Sequence, residues 1–180
     1  MSTGIRTATL REPHGKGVYG VAFSPDGKLL ATADAYGGIY LWNAVTGTLT
    51  ATLHAPDSKY GASGVAFSPD GTLLAAADAN GGICLWNAVT GTLTATLHAP
   101  DSKYGASGMA FSPHGALLAA ADANGGICLW NAVTSTLTAT LHDPSKNGVY
   151  AVAFSRDGRL LAAMDGNGST YLWNMSWLGT

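Results

Sequence analysis

The sequence predicts an all-β chain built from four copies of one four-stranded antiparallel unit, and three observations carry that prediction. Phe23, Phe67, Phe111 and Phe154 recur at intervals of 44, 44 and 43 residues, and Trp42, Trp86, Trp130 and Trp173 follow at the same intervals. Between these markers, short β-prone runs alternate with Gly, Pro, Asn and Asp punctuation too dense to leave room for helices of ordinary length. The 180 residues are 47% hydrophobic, enough for one domain with a real core.

Each element of the unit can be read in order. "VYGVAF" at 18–23, with counterparts at 62–67, 106–111 and 149–154, is a β-rich run ending in an aromatic residue. The "SPDG" that follows is a tight turn, in which proline presets φ and glycine takes the left-handed position. "LLATA" (29–33), "LLAAA" (73–77 and 117–121) and "LLAAM" (160–164) are apolar on both faces, as a strand covered from both sides must be. The turns "DAYGG", "DANGG" and "DGNGS" lead into "IYLWN", "ICLWN" and "TYLWN", which alternate as third strands. The threonine-rich "TLTATL" supplies an alternating outer strand.

Charge and composition exclude several functions. Only 11% of residues are charged, the formal net charge is −2, and the nine Lys and Arg are scattered, so nucleic acid is not an expected partner. The N-terminus lacks the apolar run of a secretory signal and no run of apolar residues is long enough for a membrane helix. A cytoplasmic protein with no membrane partner is the expectation. Cys84 and Cys128 occupy the same place in two copies of "GGICLWNAVT" and are read as reduced, packing residues of interior strands.

A four-stranded unit of about 40–45 residues that ends in Trp and a short polar residue describes a β-propeller blade. Here the chain resembles the WD-repeat family over essentially its whole length, on "VAFSPDGKLLATADAYGGIYLWN" (21–43) and its three relatives. It departs from the family at Trp-Asn, which replaces Trp-Asp in all four copies. Of the family's Gly-His, only His14 stands at the expected distance, with Ser58, Ser102 and Ser145 in the equivalent places. The resemblance implies a buried network of histidine, turn aspartate, Ser/Thr and Trp, and most of its partners are missing. Tyr36, Asn80, Asn124 and Asn167 stand where the turn aspartate belongs, and Ala76, Ala120 and Ala163 stand near the hydroxyl position that only Thr32 keeps. Apolar packing between blades is therefore expected to carry stability, with Trp42, Trp86, Trp130, Trp173, Phe23, Phe67, Phe111 and Phe154 as structural residues.

The first residues match the outer strand: "TGIRTATL" at 3–10 repeats "TGTLTATL" at 46–53. The last unit reaches its third strand and continues as "MSWLGT", so residues 3–10 are expected to complete it, with Ile5, Thr7, Thr9 and Tyr171 as closure residues. This makes 1–180 a single propeller module, with blades at about 11–53, 54–97, 98–141 and 142–174, the last completed by strand 3–10. Blades this alike should pack at one angle, and at about 45° each, four make half a ring. Two chains related by a twofold axis then form an eight-bladed ring in which each N-terminal strand enters the other chain's last blade. A closed four-bladed monomer is the competing arrangement.

No catalytic constellation stands out, and an enzyme is not expected. His54, His98 and His142 recur at the ends of outer strands, but each "HAPD" offers too few ligands for a metal and equivalent loops lie apart. The Asp residues of "SPDG" and "DANGG" read as turn chemistry, and "NGG" precedes no helix or lysine that would make a phosphate loop. No cofactor is implied. The remaining candidate is a binding surface of top-face loops: Asp57, Lys59, Tyr60, Asp101, Lys103 and Tyr104 in "HAPDSKYGA", with Tyr36, Asn80 and Asn124 in the second turns. The expected function is a non-catalytic protein-interaction scaffold that self-assembles and takes a protein or peptide on that face. A small-ligand or glycan-binding propeller, and an amplified or engineered propeller with no specific ligand, are the alternatives.

Overall fold

The computed structural model describes residues 5, 8–15, 17–56, 61–78, 81–100, 105–142 and 148–178. Blade 1 comprises β1 (Val18–Phe23), β2 (Leu29–Asp34), β3 (Gly38–Asn43) and β4 (Leu49–His54), paired antiparallel in chain order. Blade 2 repeats this with β5 (Ala62–Phe67), β6 (Leu73–Asp78), β7 (Gly82–Asn87) and β8 (Leu93–His98). Blade 3 does so with β9 (Ala106–Phe111), β10 (Leu117–Asp122), β11 (Gly126–Asn131) and β12 (Leu137–His142). Blade 4 has three strands, β13 (Val149–Phe154), β14 (Leu160–Asp165) and β15 (Thr170–Asn174). The first strands and β15 fall where the sequence predicted them, the second strands and the other third strands are one residue longer at one end, and the outer strands are shifted by one residue.

Local chemistry fixes each turn. The Ser24–Gly27 turn closes with Gly27 N–H donating to the Ser24 carbonyl at 2.9 Å, and Gly27 holds φ +70°. Asp26 caps it, accepting from Ser24 Oγ at 2.7 Å and Lys28 N–H at 3.0 Å. Asn43 Oδ1 accepts from the N–H groups of Val45 and Thr46, and Asn87 and Asn131 do the same in blades 2 and 3. The asparagine of Trp-Asn is therefore the organiser of the third-to-fourth-strand hairpin, a task any short side-chain oxygen can perform. Ser135, which replaces the Gly47 and Gly91 of the other copies, keeps the left-handed φ at +59°.

The blades stack in chain order, first strand against first strand, β1 on β5, β5 on β9 and β9 on β13. One apolar cluster fills each of the three junctions. Ala31, Ala33, Ile39 and Leu41 of blade 1 pack against Leu74, Ala76, Cys84 and Trp86 of blade 2, and the same positions recur between blades 2 and 3 and between blades 3 and 4. Among the described residues no such cluster joins blade 4 to blade 1, and the ring is open. After β15 the chain forms a 3-10 turn, Ser176–Leu178, and Met175 and Leu178 join the cluster between blades 3 and 4.

Candidate functional site

The turn aspartates lie at the top of each blade. Asp34 is buried at the end of β2 and accepts from the N–H groups of Tyr36 and Gly38, each at 2.8 Å, so it pins the turn that presents Tyr36. Asp165 repeats this with Asn167 and Ser169, and Asp122 accepts from Asn124 N–H. These carboxylates therefore organise loops, as turn chemistry predicted. The lower set behaves alike: Ser68 Oγ donates to Asp70 at 2.5 Å and Ser155 Oγ to Asp157 at 2.6 Å. Those hydroxyl donors, with the N–H groups of Thr72 and Arg159, hold both carboxyls below their ordinary pKa.

Blade 1 carries more of the expected buried network than its sequence indicated. Trp42 Nε1 donates to Thr32 Oγ1 at 2.9 Å. Tyr40 Oη donates to Asp34 Oδ2 at 2.9 Å, and His14 Nδ1 lies 2.9 Å from that hydroxyl and 3.6 Å from the carboxylate. The turn partner is thus Asp34 at the strand end rather than a residue at the Tyr36 position, and Tyr40 relays it to His14. Blades 2 and 3 have Cys84 and Cys128 in place of Tyr40, each with Sγ 3.9 Å from the hydroxyl of the facing outer-strand threonine, Thr96 and Thr140. Burial pushes the Tyr40 phenol up to about 12, reinforced by its bond to Asp34. Burial also acts to raise the Asp34 pKa, but the Tyr36, Gly38 and Tyr40 donors and His14 outweigh it and hold the carboxyl below its ordinary value.

The top-face candidates are only partly brought into view. Tyr36 and Asn124 are exposed on the second turns of blades 1 and 3, with a whole blade between them, so they form no joint site. Asp57, Lys59, Tyr60, Asn80, Asp101, Lys103 and Tyr104 lie outside the described residues. His54, His98 and His142 are exposed at the ends of β4, β8 and β12. Trp177 is exposed within the 3-10 turn, and Cys84 and Cys128 are buried free thiols.

Two residues at the channel end of the blade interfaces were not singled out by the sequence. In blades 2 and 3 the second residue of the first strand is serine, and its hydroxyl crosses the junction: Ser63 Oγ donates to the Ala106 carbonyl and Ser107 Oγ to that of Val149. Blades 1 and 4 have Tyr19 and Tyr150 there, both exposed. The signal was present, since aligning the four copies shows the outer repeats sharing "GVY" where the inner ones share "GAS".

The structural residues divide by junction. Trp86 and Trp130 are buried between blades, as expected, and Trp42 is buried on the rear face of blade 1. Phe67, Phe111 and Phe154 are half-buried against the preceding blade. Phe23 is corrected: it is 63% exposed, because among the described residues no blade stands against that face of blade 1. Its neighbour Val21 is exposed too, where Val65, Met109 and Val152 are covered. The complementary gap lies on the forward face of blade 4. Leu41, Leu85 and Leu129 are 2%, 1% and 0% exposed, whereas Leu172 at the same position is 67% exposed, with Met164 also open to solvent.

Among the described residues no strand closes blade 4. Residues 8–10 carry no strand assignment, Ile5 and Thr9 are exposed, Thr7 lies outside the described residues, and the outer edge of β15 pairs with no described strand. Tyr171, on β15, is half-buried, with its hydroxyl 3.3 Å from Asp165.

A search of curated proteins finds no match to this chain. Among solved structures, the computationally designed Ika4 protein aligns with a TM-score of 0.79 at 21% identity, over 96% of this chain and 99% of that one, so the likeness in fold extends through all four blades. The family profile described as WD domain, G-beta repeat matches four times, at residues 5–43, 47–87, 91–131 and 135–174. With those four matches spanning nearly the whole of its length, the chain belongs to the WD-repeat family.

Proposed function

We propose that this chain is a non-catalytic interaction scaffold, made functional by pairing with a second copy into a closed eight-bladed ring whose top face receives a protein or peptide. The contrast between Leu172 and its three buried equivalents carries the reading. Every internal junction joins the forward face of one blade to the rear face of the next, and among the described residues each terminal blade leaves apolar side chains uncovered: Met164 and Leu172 on blade 4, Val21 and Phe23 on blade 1. A stacked repeat that ends in solvent needs polar outer faces on its terminal units. These terminal faces are apolar, so they read as interfaces rather than caps, and a second copy supplies both complements at once.

Light scattering coupled to size exclusion over a dilution series tests the reading. The expected mass is twice that of one 18.3 kDa chain, and Leu172→Glu is expected to return it to the single-chain value with the β-sheet circular dichroism retained. A wild-type mass of one chain at every concentration overturns the reading.

A further inference from the structure

One third-strand position separates the outer blades from the inner ones. Tyr40 and Tyr171 place a phenol there in blades 1 and 4, where blades 2 and 3 have Cys84 and Cys128. In blade 1 the phenol is fully buried and donates to Asp34 Oδ2, and in blade 4 the Tyr171 hydroxyl stands 3.3 Å from Asp165 Oδ2. In blade 3 the cysteine lines a cavity of about 150 Å³, about the size that takes a benzene ring in a protein interior. We propose that this cavity is a binding site for a neutral phenol, whose ring lies over Gly126 and Cys128 and whose hydroxyl donates to Asp122. The site lies within one chain, between blades 2 and 3, and does not depend on how the ring of blades closes.

The glycine beneath the phenol is the first support. A Cβ at Gly38 would stand 2.7 Å from Tyr40 Cζ and strike its hydroxyl, so the bare glycine is the floor on which that phenol lies. At Gly126 the same atom would meet, among the described residues, only the Asp122 carboxyl, with Oδ2 at 3.6 Å and Cγ at 3.8 Å. Floor and acceptor are kept in blade 3, and the ring between them is what the sequence omits. In blade 2, His98 Cε1 would lie 3.6 Å from a Cβ at Gly82, so an imidazole takes up space there that blade 3 leaves open.

The second support is that the acceptor is built as in blade 1. Asp122 is 9% exposed, and its Oδ1 accepts from Asn124 N–H as Asp34 Oδ1 does from Tyr36 N–H, which leaves Oδ2 over the glycine. Cys128 faces Thr140 and Gly126 faces His142, the register that sets Tyr40 against Thr52 and Gly38 against His54. Pro100 closes the cavity from the blade 2 side, at the repeat position of Pro13, next to the His14 that meets the Tyr40 hydroxyl. Asp122, Cys128 and His142 are metal-ligating types, but among the described residues no three such side chains gather as a metal site. A carboxylate above a flat apolar floor selects a hydroxyl donor on a ring and repels anions. Tyr40 in blade 1 shows how such a group sits.

The probe is p-cresol, the tyrosine side chain as a free molecule, titrated into the isotope-labelled full chain while backbone amide shifts are followed. Saturable shifts centred on Asn124, Gly126 and Cys128 are expected. Toluene keeps the ring without the hydroxyl and is expected to bind at least about tenfold more weakly, the worth of one hydrogen bond to a charged acceptor. Gly126→Ala puts a methyl group where the ring would lie and meets only ordinary contacts within the chain, so it should fold as wild type does and lose the shifts. Cys128→Tyr, which installs the phenol of blade 1, should lose them as well. The absence of saturable shifts with p-cresol overturns the proposal, and so does equal affinity for toluene. Binding unchanged in either variant, folded by circular dichroism, also overturns it. A Gly-Tyr-Gly peptide is titrated in parallel to separate the sources of the phenol. Displacement of p-cresol by the peptide supports the site as a receptor for a partner's tyrosine side chain, and p-cresol binding that the peptide leaves untouched supports it as a receptor for a free phenol.

Discussion

Blades 2 and 3 and blades 1 and 4 are nearly the same sequence in different company. Strand β10 of blade 3 is buried at all six positions, whereas β14 of blade 4, built from a similar apolar run, alternates between buried and open ones. Leucines at one repeat position pass from fully covered to two-thirds exposed solely because of what stands beside them. The pattern of a repeat thus specifies the unit, while its neighbours decide whether the unit's apolar faces are satisfied. The terminal copies diverge in a way that fits this division. They share tyrosine at the Tyr19/Tyr150 and Tyr40/Tyr171 positions, where the inner copies share serine and cysteine.

The largest effect that would sharpen the comparison comes from truncating equivalent leucines. Leu129→Ala removes a fully buried side chain between blades 3 and 4 and is expected to cost about 2–5 kcal/mol in denaturant unfolding at any protein concentration. Leu172→Ala, at the same place in the next blade, is expected to cost little at high dilution and to approach the Leu129 value as concentration rises and the ring forms. Equal costs for both variants at high dilution would mean that the two blades do not differ in the way described.

Much of this architecture was legible in the residues. The four first strands, the turn types and the junction-facing tryptophans follow from periodicity and punctuation, because each depends on chemistry within one unit. What was not legible depends on relations between units. Phe23 belongs to the same pattern as Phe67, yet it is exposed, because no described blade stands against its face of blade 1. The buried network in blade 1 was hidden for another reason. Tyr40 stands on a third strand where an alternating pattern reads simply as apolar, and only its side-chain length lets it bridge Asp34 to His14. The top-face loop candidates could be nominated by residue type alone, and most of them lie outside the described residues.

An intermediate effect is expected where first strands approach most closely. A Cβ at Gly108 would sit 2.7 Å from both the Ala151 Cα and the Tyr150 carbonyl oxygen, backbone that cannot move aside cheaply. Gly108→Ala should therefore lower stability by about 1–3 kcal/mol. The same substitution at Gly64, one blade earlier, would meet only the Met109 Cε at 4.0 Å, the far end of a flexible side chain. There the loss of unfolded-state freedom should dominate, and Gly64→Ala is expected to be neutral or stabilising by up to about 1 kcal/mol. Thermal melts of the two variants compare the junctions directly, and a destabilised Gly64→Ala would show that they are packed alike after all.

The smallest effect separates blade 1 from the middle blades by pH. Tyr40 is protonated over a wider range in the folded chain than in the unfolded one, because burial and the bond to Asp34 both disfavour the phenolate. Its contribution is therefore fully present below the ordinary tyrosine value near 10 and is lost as pH rises towards about 12. Asp34 has the opposite sign: its lowered pKa gives stability that is present above the ordinary carboxylate value near 3.8 and fades as pH falls through the folded value. Tyr40→Phe keeps the ring and removes the hydroxyl that links the pair. It should cost about 1.5 kcal/mol near neutral pH, the net worth of one hydrogen bond to a charged acceptor at the low end of its range. It should also delete a phenol titrating above the ordinary tyrosine range from the ultraviolet absorbance of the folded chain, and flatten the loss of stability between pH 10 and 12 that is expected of wild type. If the difference titration between wild type and Tyr40→Phe instead falls at the ordinary tyrosine value, the hydroxyl is open to water and His14 is not held on blade 1 through it.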